Sequence, residues 1–198
     1  MGGFFNPTAS YVKNIEDDNW TKNYTWYDTK GRPIGSHSIN HLGGFTKTES
    51  ELDFTGVVQQ SFTSHSRAST TTEVTIEENF EYDPQNRLLM HKHKVNGGNE
   101  EVLTQNTYNE LSQLESKKVG NTIADPLQQV DFSYNIRGWM TGINDPTNLG
   151  VDLFGYNIKY NNPINSTIST PKYNGNITEI DWKKNSSCSR SKKIQLPI

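Results

Sequence analysis

Thr70-Thr71-Thr72-Glu73-Val74-Thr75-Ile76-Glu77-Glu78-Asn79-Phe80-Glu81-Tyr82-Asp83-Pro84-Gln85-Asn86 reads as a strand that runs into a tight turn. Val74, Ile76, Phe80 and Tyr82 fall on one face, with Thr75, Glu77 and Glu81 on the other, the period of two of an extended chain. The run ends at Asp83. An Asp or Asn that opens a turn accepts hydrogen bonds from backbone N–H groups two residues on. Pro84 sets φ at about −65° for the next position. Asn86 tolerates the positive φ that a three- to five-residue hairpin loop demands.

The same pentad recurs along the chain. An aromatic residue or Leu precedes Asp or Asn, and Gly, Asn or Ser stands three residues after that acid or amide. The copies are Tyr27-Asp28-Thr29-Lys30-Gly31, Leu52-Asp53-Phe54-Thr55-Gly56, Tyr82-Asp83-Pro84-Gln85-Asn86, Tyr108-Asn109-Glu110-Leu111-Ser112 and Tyr134-Asn135-Ile136-Arg137-Gly138. Their starts at 27, 52, 82, 108 and 134 are 25, 30, 26 and 26 residues apart. Two strands of about eight residues with two loops of about five make roughly that repeat. Weaker echoes stand at Tyr156-Asn157, Tyr160-Asn161 and Tyr173-Asn174. Asn96-Gly97-Gly98-Asn99 predicts a second kind of turn, between strands at Leu88–Val95 and Glu100–Thr107. The best helical candidate, Glu110–Lys118, falls in the phase of a strand and is read as one. Asn144–Gly150 and Asn161–Lys172, rich in Pro, Asn, Ser and Thr, read as loops. The expected fold is all-β: antiparallel hairpin repeats paired edge to edge into one long curved sheet.

Composition agrees with such a sheet. Only 31% of the 198 residues are hydrophobic, too few for an ordinary two-layer core, yet 11% are aromatic, too many for a disordered chain. A sheet wetted on at least one face satisfies both. The net charge is −3 and no basic stripe appears, which argues against nucleic acid as a partner. The single cysteine, Cys188, excludes an internal disulfide framework and a cysteine-based zinc site. No window approaches the roughly 18 apolar residues of a membrane helix. No signal peptide is visible at the N-terminus.

The pentads resemble the YD repeats of RHS proteins, a group that includes bacterial polymorphic toxins, the shell-forming parts of insecticidal toxin complexes, and animal teneurins. The resemblance covers residues 20–182. Tyr134-Asn135-Ile136-Arg137-Gly138-Trp139-Met140-Thr141-Gly142-Ile143-Asn144 is similar to a phrase common in RHS proteins of Bacteroidetes. Tyr173-Asn174-Gly175-Asn176-Ile177-Thr178-Glu179-Ile180-Asp181-Trp182 is similar to the phrase that follows it. The resemblance implies a spiralling sheet that forms a hollow cocoon around a toxic C-terminal domain until delivery, secreted or displayed on the cell as part of a larger bacterial protein. Its partners would be the rest of the shell and the toxin cargo. Asp145-Pro146 partly matches the self-cleaving core of such shells, but Asn148 stands where that core has glycine, so no protease role is transferred. Six or seven hairpins would make a partial wall. The implied organisation is a lead-in over 1–19, a repeat sheet over 20–183, and a non-repeat tail over 184–198 that is expected to be disordered and that reads like a frameshift or gene-fragment remnant.

The candidate functional residues are therefore structural: Tyr27, Asp28, Gly31, Asp53, Gly56, Tyr82, Asp83, Asn86, Tyr108, Asn109, Tyr134, Asn135, Gly138, Tyr173 and Asn174. No catalytic, cofactor-binding or metal-binding residue is expected, and no enzyme activity. His91 and His93 share a strand face and would need a third ligand to hold zinc; a polar strand face accounts for them. His37 and His41, four apart, would suit a metal only on a helix. No G-x-S-x-G elbow supports a hydrolase. The alternative function is an extracellular binding module, an adhesin or carbohydrate binder whose exposed rings, Trp20, Trp26, Trp139 and Trp182 among them, stack on sugars.

Overall fold

The structure is a computed structural model that describes residues 8–165, 167, 169–185 and 192–194. Among the described residues there are fourteen strands and no helix. Strand order in the sheet is chain order, from β1 to β14, so no connection crosses another strand. The pairings from β1 through β7 and from β8 through β14 are antiparallel. The all-β hairpin sheet expected from the repeat is the fold.

The chain divides into two compact units, Met1–Thr104 and Gln105–Ile198. The first holds β1 (Ala9–Lys13), β2 (Trp20–Tyr27), β3 (Pro33–Ile39), β4 (Gly43–Leu52), β5 (Val58–Ala68), β6 (Val74–Tyr82) and β7 (Leu88–Val95), with the start of β8 (Glu101–Tyr108). The second takes the end of β8, then β9 (Leu114–Asn121), β10 (Pro126–Tyr134), β11 (Met140–Ile143), β12 (Phe154–Lys159), β13 (Glu179–Lys184) and β14 (Lys192–Ile194). Glu110–Lys118 contains a turn and the first half of β9. The stretches over 144–150 and 161–172 carry no strand among their described residues.

The sheet takes in residues ahead of the expected boundary at 20. Ala9–Lys13 forms five residue pairs with β2, and the Tyr11 ring meets Tyr24 edge-on with centroids 6.0 Å apart. Tyr11 and Val12 in an alternating run supply strand propensity that the pentad, which marks only turns, does not reveal. At the other end the backbone of β14 pairs with β13. Most of the tail expected to be disordered lies outside the described residues.

Little is buried. Among the described residues the buried apolar side chains are Val102, Pro146, Leu149 and Tyr160, while Ser64, Ser66, Thr104, Lys159, Ser169, Thr178 and Glu179 are buried polar groups. Backbone ladders and cross-strand contacts therefore hold this sheet more than a central core does.

Candidate functional site

The five pentads make one repeated object. In each, the N–H of the acid or amide donates to the carbonyl four residues on, and the N–H of the last residue donates back to the carbonyl of that acid or amide. At Asp28 these bonds join Arg32 and Gly31 at 2.9 and 3.0 Å; at Asn135 they join Trp139 and Gly138, both at 2.9 Å. Asp53, Asp83 and Asn109 repeat the pattern. The side chain completes the turn. Asp28 Oδ1 accepts from the N–H of Lys30 and Arg32, Asp83 Oδ1 from Gln85 and Arg87, Asn109 Oδ1 from Leu111 and Gln113, and Asn135 Oδ1 from Arg137 and Trp139, all between 2.8 and 3.0 Å. Asp53 Oδ1 accepts from Gly56, Val57 and the Thr55 hydroxyl. Phe54 and Ile136, in the middle of their turns, point into solvent.

These bonds hold the carboxyls of Asp28, Asp53 and Asp83 below the usual carboxylate range. The Arg32 N–H is the main cause at Asp28, and the Thr55 hydroxyl at Asp53. At Asp83 burial pushes the carboxyl up, but the N–H and guanidinium of Arg87 outweigh it. Arg32 Nε and Arg87 Nε each pair with the Asp four residues earlier, at 2.6 and 2.5 Å.

Each pentad also sets a bulge. Tyr27 pairs with Pro33 whereas Trp26 pairs with Gly35, which leaves Ile34 as an extra residue on the exit strand. Gln59, Leu89, Glu115 and Thr141 are the extra residues of the next four hairpins. A bulge of this kind increases local twist and re-aims the side chains around it.

Two of the tyrosines that open a pentad join one hairpin to the hairpin before it. Tyr82 Oη donates to the Val58 carbonyl at 3.0 Å, and Tyr134 Oη to the Leu114 carbonyl at 2.9 Å. Val58 and Leu114 are the residues paired with Leu52 and Tyr108 of the preceding pentads. Tyr160 continues the series within the second unit: its Oη donates to Met140, the partner of Tyr134, at 2.7 Å. Burial raises the pKa of all three hydroxyls, so each remains a donor. Turn also touches turn. Arg32 Nη1 donates to the carbonyls of Asp53 and Phe54, and Lys30 Nζ lies 3.9 Å from the Phe54 ring centroid.

Tyr173 and Asn174 sit elsewhere, in the long irregular loop that joins the paired strands β12 and β13 and not in a tight pentad turn. Tyr173 is exposed and its carbonyl accepts from Arg137 Nη1 at 2.9 Å. Asn174 Oδ1 accepts from Asn176 N. A further turn of pentad type escaped the sequence rule. Asn40 N donates to Gly44 O, Gly43 N donates to Asn40 O, and Asn40 Oδ1 accepts from Leu42 and Gly44. Ile39 precedes it, neither aromatic nor Leu; the Asn-x-x-Gly spacing was its only signal.

The histidines have ordinary partners. His91 Nε2 contacts Glu78 at 2.9 Å and its ring stacks on Phe80 at 4.3 Å, while His93 Nε2 contacts Glu101 at 3.1 Å. His37 lies between Tyr24 and Phe45 on β3. Among the described residues no three His, Cys, Asp or Glu side chains are placed to share a metal ion. Among them, too, no helix is long and apolar enough to cross a membrane. Trp139 packs on Tyr160 and Arg137, and Trp182 on Phe154, whereas Trp20 and Trp26 are nearly half exposed.

A second constellation had no sequence signal. Lys159 Nζ donates to Glu179 Oε1 at 2.7 Å and also to Asp181 Oδ2. Glu179 is fully buried, and its Oε2 accepts from the N–H groups of Ile164 and Asn165 at 3.0 and 3.2 Å. Burial acts against both charges, yet the mutual contacts outweigh it: Lys159 is raised and Glu179 lowered.

No protein-family model matches the chain, and no curated protein sequence matches it. Among solved structures, the crystal structure of TcdB2-TccC3-Cdc42 aligns with 90% of this chain at 11% identity and a TM-score of 0.47. The chain spans 10% of the length of the chain it aligns with.

Proposed function

We propose that this chain is a wall segment of an RHS-type shell, acting sterically and without catalysis of its own. In this reading the sheet is part of a larger secreted or surface-displayed bacterial protein, and its partners are the remaining shell and an enclosed toxin or effector domain. The observation that carries the reading is the set of three tyrosine hydroxyls, at Tyr82, Tyr134 and Tyr160, that bond to the exit strand of the preceding hairpin. Such links let one hairpin be added to another without a central core, which suits a thin wall with water on both sides. The phrases around Tyr134 and Tyr173 support the family.

Two measurements test it. The DNA downstream of this chain should continue in frame into further pentads, a closing core and a terminal domain of different composition; a long frame of unrelated sequence would count against the wall. The purified chain should show no saturable ligand on a glycan array. A saturable glycan would favour the binding module instead, through the exposed rings of Trp20 and Trp26.

A further inference from the structure

Asn followed by Gly occurs at Asn96-Gly97 and at Asn174-Gly175, and the fold treats the two pairs differently. Both asparagines are exposed, so access to water does not separate them. Hydrogen bonding does. Asn96 clasps Thr75 of β6: its N–H donates to the Thr75 carbonyl at 2.8 Å, and its Oδ1 accepts from the Thr75 N–H at 2.9 Å. Its carboxamide is thus tied to the neighbouring strand. Asn174, in the loop between β12 and β13, instead accepts at Oδ1 from the N–H of Asn176 at 3.1 Å. That bond folds the carboxamide forward along its own chain and closes a ring that contains both Cγ of Asn174 and the nitrogen of Gly175.

We propose that Asn174 is a site of self-catalysed deamidation through a cyclic imide with Gly175, and that the clasp on Thr75 protects Asn96 from the same reaction. The inference is independent of the shell reading. In the reaction the Gly175 nitrogen gives up its proton and attacks Cγ of Asn174. The N–Cγ bond forms, the Cγ–Nδ2 bond breaks, and Nδ2 leaves as ammonia with the proton. Water then opens the imide at either carbonyl. One opening gives aspartate; the other gives isoaspartate, in which the main chain runs through the former side chain. Water is the co-reactant and no electrons change hands.

Three features favour Asn174. The Asn176 N–H already bonds the oxygen on which negative charge develops as Gly175 attacks, the task of an oxyanion donor. The folded-back carboxamide presents its carbon to a fixed neighbour, which then acts at a high effective concentration. Gly175 brings no Cβ to screen its nitrogen. At Asn96 the attack would first break the bond from Oδ1 to Thr75 and leave that strand N–H without its acceptor. The product also changes its surroundings. A carboxylate appears beside Tyr173, whose carbonyl accepts from Arg137 Nη1. Gly175 lies against Trp139, where a Cβ would stand 3.3 Å from Cζ2, and the longer main chain of isoaspartate would disturb that contact.

The test is a time course of the purified chain at neutral pH, folded and in urea, read by peptide mapping and fragment masses. In the folded chain the peptide Tyr173–Lys183 should grow heavier by the difference between a hydroxyl and an amino group, with the change at Asn174 and both aspartyl and isoaspartyl forms present. Asn174 should convert roughly tenfold faster than Asn96. In urea both pairs should convert at similar rates, because only the fold separates them. Asn174→Ala should abolish the change in its peptide. An Asn96 that converts as fast as Asn174 in the folded chain overturns the proposal. So does an Asn174 that stays an amide in the folded chain but converts in urea. A product that is aspartyl only overturns the imide route, since direct hydrolysis forms no isoaspartate.

Discussion

At the fifth position of every pentad the backbone is left-handed: φ is 77° at Gly31, 101° at Gly56, 60° at Asn86, 64° at Ser112 and 78° at Gly138. An L side chain is strained there, and a β-branched one most of all. A Cβ on Gly138 would also stand 3.2 Å from Gln113 Nε2 of the preceding turn. Gly31→Val and Gly138→Val should each lower stability by about 1–3 kcal/mol. Urea midpoints would measure this, and unchanged midpoints in both would show that the turns are not what holds the hairpins. Ser112 makes the opposite case, because it already carries the strain. Ser112→Gly should raise the urea midpoint, by about 0.5–1 kcal/mol once the added chain entropy is offset. This level was the most legible in the sequence, since Asp or Asn followed three residues later by Gly, Asn or Ser is local chemistry. Lys159 and Glu179 were not legible, because an irregular loop between them hides which residues become opposite partners.

Hairpins are joined by contacts that no single pentad contains. Tyr82→Phe and Tyr134→Phe remove only the hydroxyl that reaches the previous exit strand. Each should cost about 0.5–1.5 kcal/mol, seen as a lower urea midpoint, whereas Tyr173→Phe, whose side chain is exposed in a loop, should cost nothing measurable. The turns also differ in how they meet acid. Asp28, Asp53 and Asp83 have folded pKa values below the unfolded carboxylate value of about 3.9. Their contribution is therefore complete above that pH and is lost as pH falls through the lower folded values. The amides of Asn109 and Asn135 do not titrate. Hydrogen-exchange protection, corrected for intrinsic rate, should thus fall in acid at the N–H groups of Arg32, Val57 and Arg87 while those of Gln113 and Trp139 hold. Equal losses at both sets would rule out the carboxylates as the cause. The bulges that accompany these turns could not be read beforehand. An extra residue such as Ile34 or Leu89 is defined by the register of two strands at once, and alternation within one strand does not contain that information.

For the molecule as a whole, polarity is the property that organises the rest. With 31% hydrophobic residues and so few apolar side chains buried, stability has to be distributed along the sheet and not concentrated in a centre. A strand here contacts the strand before it and the strand after it in the order of the sheet, the situation of a one-dimensional array. Such arrays behave as sums of unit and nearest-neighbour terms, and a local defect spreads only as far as its neighbours. Gly138→Val should therefore reduce hydrogen-exchange protection in β10 and β11, and more weakly in β9 and β12, which pair with them. Protection across β2 to β5, held by their own turns at Gly31, Asn40 and Gly56, should not change. A chain stabilised by one cooperative core would instead lose protection everywhere at once, in proportion to its lost global stability. A uniform loss reaching β2 to β5 would mean that the hairpins are not independent modules, and a wall built by adding them one at a time would lose its physical basis.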